Sequence, residues 1–483
     1  MNSADAPRRR WFTALLLLAA AAAGLWLWVC WCLFPVSVWN DVRLAPSLAL
    51  ARGVSFYPGE HTGAVTTWIY GPLPVLAWWP AAWAGSAARA LEIAGAINIL
   101  TTLAAILAVC AWWPAPPGRP LGWRERGLAA VLAIAIWPFA TFQYLQADNL
   151  AIALGLVGNL VLVGRPTRAG RWAAAALAVA GLACKQTSIG IAAAQIVWLG
   201  VTAGPREAAR HLGRCAAAGA LLAGWMAASF DWAGLKMNLF TVPAHLPWAP
   251  DPRHRVLDMV PQLTIHLVLP AVILVLAGRR IWTRTSVLLL PSLAWLLALP
   301  SSAAAFMKFG GTLNSLQSFT YWLPPALVAG LAAVRTSRRA AGALALGALA
   351  GGAICGLRCA RLPRLPLRPL VEHYRQAAQL TRTFPDQIWF PWNPLVTIYG
   401  ENRFDHVEDG LYMRFLAGHA LTYPHALEDL PRRMCVIALP RGGTDWGIAL
   451  RPPLTPPDAK VNDFGLWTLH SWPPPAPPAT PRG

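Results

Sequence analysis

The stretch Arg8–Pro35, RRRWFTALLLLAAAAAGLWLWVCWCLFP, decides the class of this chain. Three arginines precede an uncharged apolar run, and one crossing of a bilayer takes about 20 such residues. The charge order is that of a signal peptide, but the hydrophobic part is too long for one, so a retained first helix is expected. Comparable runs recur at Ala151–Gly164 and Ser286–Pro300. Of 483 residues, 56% are hydrophobic and only 13% charged, which excludes an ordinary soluble enzyme of this length and a protein with a single anchor.

A net charge of +19 would suit a nucleic-acid partner. The basic residues, however, fall in short clusters between apolar runs, as membrane topology requires, so nucleic acid is rejected. These clusters are Arg119/Arg124/Arg126, Arg165/Arg168/Arg171, Arg206/Arg210/Arg214, Arg279/Arg280/Arg284 and Arg335/Arg338/Arg339. With the N-terminus they frame a mainly α fold, a polytopic transmembrane helical bundle of about eleven crossings. The bundle takes residues 1–358, with a first outer loop over about 36–90, a cytoplasmic N-terminus and an extracytoplasmic C-terminus. Lys185-Gln186 splits Trp172–Val201 into two short helices expected to meet at the outer face. Basic residues from Arg358 to Arg368 oppose an outer placement of the C-terminal residues. After the Pro/Arg-rich linker Arg361–Pro369, short β-like runs at Leu395–Tyr399 and Met434–Leu439 suggest a small extracytoplasmic α/β domain over 359–470. The proline-rich tail 471–483 reads as disordered. Eight cysteines without a CxxC pair look like small core residues.

Ionisable residues are almost absent from the central turns of the expected helices, His266 being the main exception. They collect instead at the outer ends, as Asp41, Arg43, Arg52, Glu60, His61, Asp148, Lys185 and Lys308. Ion-coupled transporters keep such groups at mid-membrane depth, so a site at the outer interface is the simpler reading. The chain holds 36 arginines but four lysines, Lys185, Lys236, Lys308 and Lys460. A lysine retained against that bias suits a compact charge on a phosphate; the competing reading is a side chain snorkelling to the interface. Asp41, directly after the first crossing, stands where a carboxylate can take an acceptor proton, although an aspartate after a helix is more often a solvated loop residue or a cap. His61 with Glu60, and Asp405-His406 with Glu408-Asp409, lack the spacing of a metal site and read as surface polarity. The aromatic stretch Trp389–Pro394 fits a sugar-stacking surface or a packed core equally.

Several short motifs occur in order along the outer face. They are Asp41 after the first crossing, Gly53-x-x-x-Tyr57, Tyr70-Gly71-Pro72-Leu73, Gln146-Ala147-Asp148-Asn149, Cys184-Lys185-Gln186-Thr187 and Lys308–Ser315. Together, over roughly residues 30–325, they resemble the bacterial multi-pass glycosyltransferases of the GT-C superfamily, which include protein O-mannosyltransferases and the lipid A aminoarabinose transferase. The resemblance implies transfer of a sugar from a polyprenyl-phosphate donor to a glycan, lipid or protein acceptor at the outer face of a bacterial inner membrane. It implies catalytic Asp41 and Asp148, a donor phosphate held by Lys185, Lys308 and Arg43, and substrate contacts from Tyr57, Tyr70, Gln186 and Asn314. No cofactor is expected; some members use a divalent ion, and none is inferred for this chain. Two positions depart from the pattern: Gln146 stands where many relatives carry arginine, and Gly71 where a proline is common. A transporter or flippase of a lipid-linked saccharide, and a polymerase or ligase using a diphosphate donor, remain the competing readings.

Overall fold

The computed structural model describes residues 5–66, 68–115, 120–251, 253–258, 260, 287–334, 340–361, 367–421, 425–441, 446–450 and 454–474. His266, the arginines at 279–284 and 335–339, Arg119, residues 362–366 of the linker and the tail from 475 lie outside them.

The apolar runs fold as helices, because a backbone without water must bond to itself. In chain order these are α1 (Asp5–Cys32), α2 (Val38–Ala51), α3 (Leu73–Trp78), α4 (Ala87–Trp112), α5 (Trp123–Ile136), α6 (Ala147–Gly164), α7 (Arg168–Leu182), α8 (Ile189–Ala203) and α9 (Pro205–Ser229). Helices Leu289–Met307, Leu323–Val334 and Ala340–Arg361 come next. Six helical segments among the described residues are long and apolar enough to cross a membrane: Arg10–Cys32, Ala87–Trp112, Ala147–Gly164, Gln186–Ala203, Leu289–Met307 and Gly342–Ala360. Among the described residues side-chain caps begin three helices, Ser86 Oγ accepting from the Arg89 amide at α4, Thr167 Oγ1 from the Gly170 amide at α7 and Asp231 Oδ2 from the Gly234 amide at the short helix Trp232–Lys236.

The Ala340–Arg361 helix packs parallel to α1. Leu16 and Ala19 share a cluster with Leu344 and Ala348, Gly352 lies against the Ala19 backbone, and the Arg358 guanidinium sits 5.6 Å over the Trp26 ring. The first and last of these helices therefore end on the same side. Arg358 also donates to the Trp137 carbonyl at 2.8 Å, so its charge is held within the protein rather than free in a loop.

Residues beyond 366 form helix Leu367–Thr383 and a small sheet of order β1-β2-β4-β3: β1 Ile388–Trp389, β2 Val436–Pro440, β3 Lys460–Phe464 and β4 Trp467–Ser471. β1 pairs parallel with β2; β4 pairs antiparallel with both β2 and β3, in register at Ala438↔Leu469 and Asn462↔Leu469. Met434–Leu439 thus contributes to a strand, whereas Leu395–Tyr399 does not. It lies in helix Pro394–Glu401, where proline presets the first turn and Leu395, Val396 and Ile398 are buried. A β-branched run is outweighed there by its start signal and its packing. Trp389, Phe390 and Trp392 are all buried, which decides the aromatic stretch in favour of a packed core.

This C-terminal unit sits on the same end of the bundle as the loop over 36–90. The Val407 amide donates to the Val65 carbonyl at 2.8 Å, the Val65 amide to His406 Nδ1 at 2.9 Å, and Arg414 Nη2 to the Pro58 carbonyl at 3.0 Å. Phe309 beside Lys308 meets the Tyr412 ring 5.7 Å away. Of the pairs read as surface polarity, Glu60 is exposed and meets His419 across this contact, whereas Asp405, His406, Glu408 and Asp409 are buried in the C-terminal unit, Asp405 pairing with Arg403 and Glu408 accepting from Trp392 Nε1 at 2.6 Å. All eight cysteine thiols are free.

The Arg206/Arg210/Arg214 cluster differs from its reading as a loop. It occupies the first turns of α9 and carries the buried His211 into the bundle, where Nε2 meets Gln195 Oε1 at 3.0 Å and Gln195 Nε2 donates to Asn159 Oδ1 at 3.1 Å. Apolar patterning hides these helix turns because three arginines interrupt them.

Candidate functional site

Asp148 lies in the first turn of α6 and Lys185 in the short connection between α7 and α8, on the side of the C-terminal unit. The lysine Nζ meets both carboxylate oxygens, at 2.7 and 2.8 Å, and both side chains are largely shielded from solvent. Asn314, at the start of the 3₁₀ segment Leu313–Tyr321, donates to the same carboxylate at 3.3 Å. The Tyr70 ring lies 5.5 Å from Nζ, a cation–π distance. Four of the residues singled out from sequence, spread over some 240 positions of chain, therefore form one cluster.

The Tyr70–Leu73 motif is held against this cluster by its backbone. Tyr57 Oη donates to the Tyr70 carbonyl at 2.6 Å, Trp68 Nε1 to the Gly71 carbonyl at 3.0 Å, and Gln186 Nε2 to the carbonyls of Ile69 and Leu239 at 3.1 and 3.3 Å. Gly71 packs directly on the Ala183 carbonyl, where any Cβ would overlap the oxygen. Gly71→Ala is expected to force the loop off the Cys184–Lys185 turn and destabilise the protein by about 2 kcal/mol or more. A lowered unfolding midpoint in detergent would register this; an unchanged midpoint would show that the close approach is unimportant.

Beside Asp148 is a small polar cavity lined mainly by hydroxyl and amide groups, from Thr187, Ser188, Ser302, Ser315, Gln317, Ser318 and Tyr321. Ser318 Oγ and Gln317 Oε1 are buried without a hydrogen-bond partner among the described residues. Gln317 Nε2 donates to Gln146 Oε1 at 3.2 Å, so the glutamine at the departing position joins this polar wall.

The remaining candidates lie apart from the ion pair. Lys308 Nζ donates to the carbonyls of Pro243 and Ala244 at 2.6 and 3.0 Å and lies 5.9 Å from the Trp248 ring. Arg43 donates to the Leu145 carbonyl at 2.9 Å and stacks 5.4 Å over Trp39, bracing the segment before Asp148. Asn40, given no role from sequence, braces it too, donating to the Gln143 carbonyl at 3.0 Å and accepting from the Leu145 amide at 2.7 Å.

Asp41 is wholly enclosed beneath the C-terminal unit. Its carboxylate accepts from Tyr374 Oη at 2.6 Å, Asn393 Nδ2 at 3.1 Å and the Leu395 amide at 2.9 Å, while Trp467 Nε1 holds Asn393 at 2.7 Å. It thereby serves the N-terminus of helix Pro394–Glu401, whose own Asn393 side chain makes no cap. Burial pushes its carboxyl up to about 6, against the opposing pull of Tyr374, Leu395 and Asn393. Tyr374 and Asn393 carry no signal in the sequence, where nothing ties them to a position more than 330 residues earlier.

Fold and cluster define a polytopic, mainly α-helical membrane protein with a small C-terminal sheet and a buried ion pair on the side that the sheet covers. No family model, curated protein or solved structure matches the chain.

Proposed function

We propose that this protein is a glycosyltransferase of GT-C type in a bacterial inner membrane, moving a sugar from a polyprenyl-phosphate donor to an acceptor at the outer face. In this reading about eleven crossings place the N-terminus in the cytoplasm and the C-terminal unit outside; residues 261–286 lie outside the described residues. The observation that supports it most is the Asp148–Lys185–Asn314 cluster beside a polar cavity.

A buried ion pair suits an exchange of partners. A donor phosphate draws Lys185 away from Asp148, and the released carboxylate becomes a proton acceptor. The acceptor hydroxyl gives its proton to Asp148 as its oxygen bonds to the anomeric carbon. The bond from that carbon to the phosphate oxygen breaks, and prenyl phosphate leaves with the electron pair, its charge met by Lys185. Direct displacement inverts the anomeric centre. Asn314 and Tyr70 orient the pair, Arg43 and Asn40 position the Asp148 segment, and Asp41 anchors the C-terminal unit.

The buried Asn159–Gln195–His211 chain favours a second reading, transport of a lipid-linked saccharide, since polar groups inside a bundle mark substrate paths. Mass spectrometry of polyprenyl-phosphate sugars in membranes producing wild-type protein or Asp148→Asn at equal levels separates the two. Accumulation of one sugar-phosphate lipid only with the variant supports transfer and names the donor. Identical pools with a folded wild type and its acceptor present would sink it.

A further inference from the structure

At the opposite face of the bundle, three arginines converge on one carboxylate. Arg171 Nη1 and Arg210 Nη1 each meet Glu207 at 2.5 Å, and Arg214 Nη1 lies 3.9 Å away. α7 and α9 both begin at this face, because their far ends, at Lys185 and Phe230, reach the side of the C-terminal unit. One glutamate offsets one of three guanidinium charges, which leaves an excess of two. The Arg171 and Arg214 side chains are only 23% and 12% exposed, so water screens that excess poorly.

The donors also exceed the acceptors. Arg171 Nε and Arg214 Nη1 are buried without a hydrogen-bond partner among the described residues. A guanidinium left with unmet donors at a membrane face is matched by phosphate oxygens, which accept several hydrogen bonds at once. The surroundings favour a lipid as the source, because Trp172 and Leu212, next in sequence to Arg171 and His211, are 41% and 55% exposed. An exposed tryptophan beside arginines at a helix end is the pattern of a bilayer interface. Arg210, 67% exposed and on a flexible side chain, is free to turn from Glu207 onto an incoming headgroup and open the way to the two shielded arginines.

From this geometry we infer that Arg171, Arg210 and Arg214 form a binding site for the phosphate headgroup of an anionic phospholipid, organised by Glu207 between α7 and α9. The site is separate from the Asp148–Lys185 pair and does not depend on the function proposed for it. Basic clusters between membrane helices are suited to such headgroups.

The test is native mass spectrometry of purified full-length protein released from nanodiscs of phosphatidylcholine with phosphatidylglycerol. Wild type is expected to retain phosphatidylglycerol. Arg171→Gln and Arg214→Gln should each weaken retention by about fivefold, while Arg165→Gln, which removes an equal but exposed charge on the same face, should leave it unchanged. Arg214→Gln removes a 3.9 Å ion pair to Glu207 and no side-chain hydrogen bond among the described residues, and size-exclusion elution matching wild type establishes its fold. Equal retention by all variants, or equal loss with Arg165→Gln, would overturn the site. Displacement of the lipid by millimolar inorganic phosphate would overturn the lipid assignment in favour of a soluble anion.

Discussion

Asp148→Asn and Lys185→Met are each expected to abolish measurable sugar transfer and to destabilise the protein, while the double variant regains stability and stays inactive. Each single change strands one buried charge, and breaking a buried pair in this way costs about 3–5 kcal/mol. The two side chains share 2.7 and 2.8 Å contacts and little solvent reaches either, so neither water nor a second ion stands ready to replace the missing partner. Removing both charges removes the penalty and leaves a neutral amide beside Asn314. Transfer does not track stability, because loss of a positioned base costs about 10²–10⁴ in rate and loss of a group that meets developing phosphate charge costs about 10²–10³. The measurements are unfolding midpoints in detergent and transfer of radiolabelled sugar from membrane extracts. A double variant destabilised by the sum of the two singles would mean that the sites act independently. An active double variant would reduce the pair to a structural strut and remove the support for the proposed chemistry.

The helical membrane class is legible in the sequence because uncharged runs of sufficient length have few other uses, and the division of Trp172–Val201 at Lys185 is legible for the same reason. The scarcity of lysine points to Lys185, and the motif order points to Asp148, Tyr70 and Asn314. Pairing is what sequence alone does not disclose. Nothing in the spacing says that Lys185 meets Asp148 while Lys308 meets carbonyls of 243 and 244, since both depend on how helices far apart in sequence cross. The same limit hides Tyr374 and Asn393 from Asp41. The start of α9 is obscured because Arg206, Glu207, Arg210 and Arg214 break the apolar pattern, although charges near a helix end are tolerated where they pair with one another.

Docking of the C-terminal unit is expected to weaken as pH rises from about 4 to about 6, and Asp41→Ala to loosen it at every pH. The sign comes from proton counting. The Asp41 carboxyl, ordinarily at 3.8, is pushed up to about 6 by burial, so between these values the docked state holds a proton that the exposed state has released. Stability falls with pH wherever the native state binds more protons, so docking is strongest below the lower value, declines across the window and is level above it. In Asp41→Ala the Leu395 amide, the Asn393 amide group and the Tyr374 hydroxyl lose their common acceptor. Unmet buried donors cost about 1–3 kcal/mol each, which corresponds to at least fivefold faster opening. Hydrogen exchange at Leu395–Ile398, corrected for the intrinsic pH dependence of amide exchange, reads both effects. Tyr374→Phe, which keeps the carboxylate and removes one donor, should accelerate exchange less than Asp41→Ala. The catalytic role that the sequence reading gives to Asp41 leads to a different pattern. A base used only in turnover would leave exchange at Leu395 flat with pH and unchanged in Asp41→Asn while transfer is lost. An anchor shows the exchange change first, and any loss of transfer then tracks the opening of the C-terminal unit.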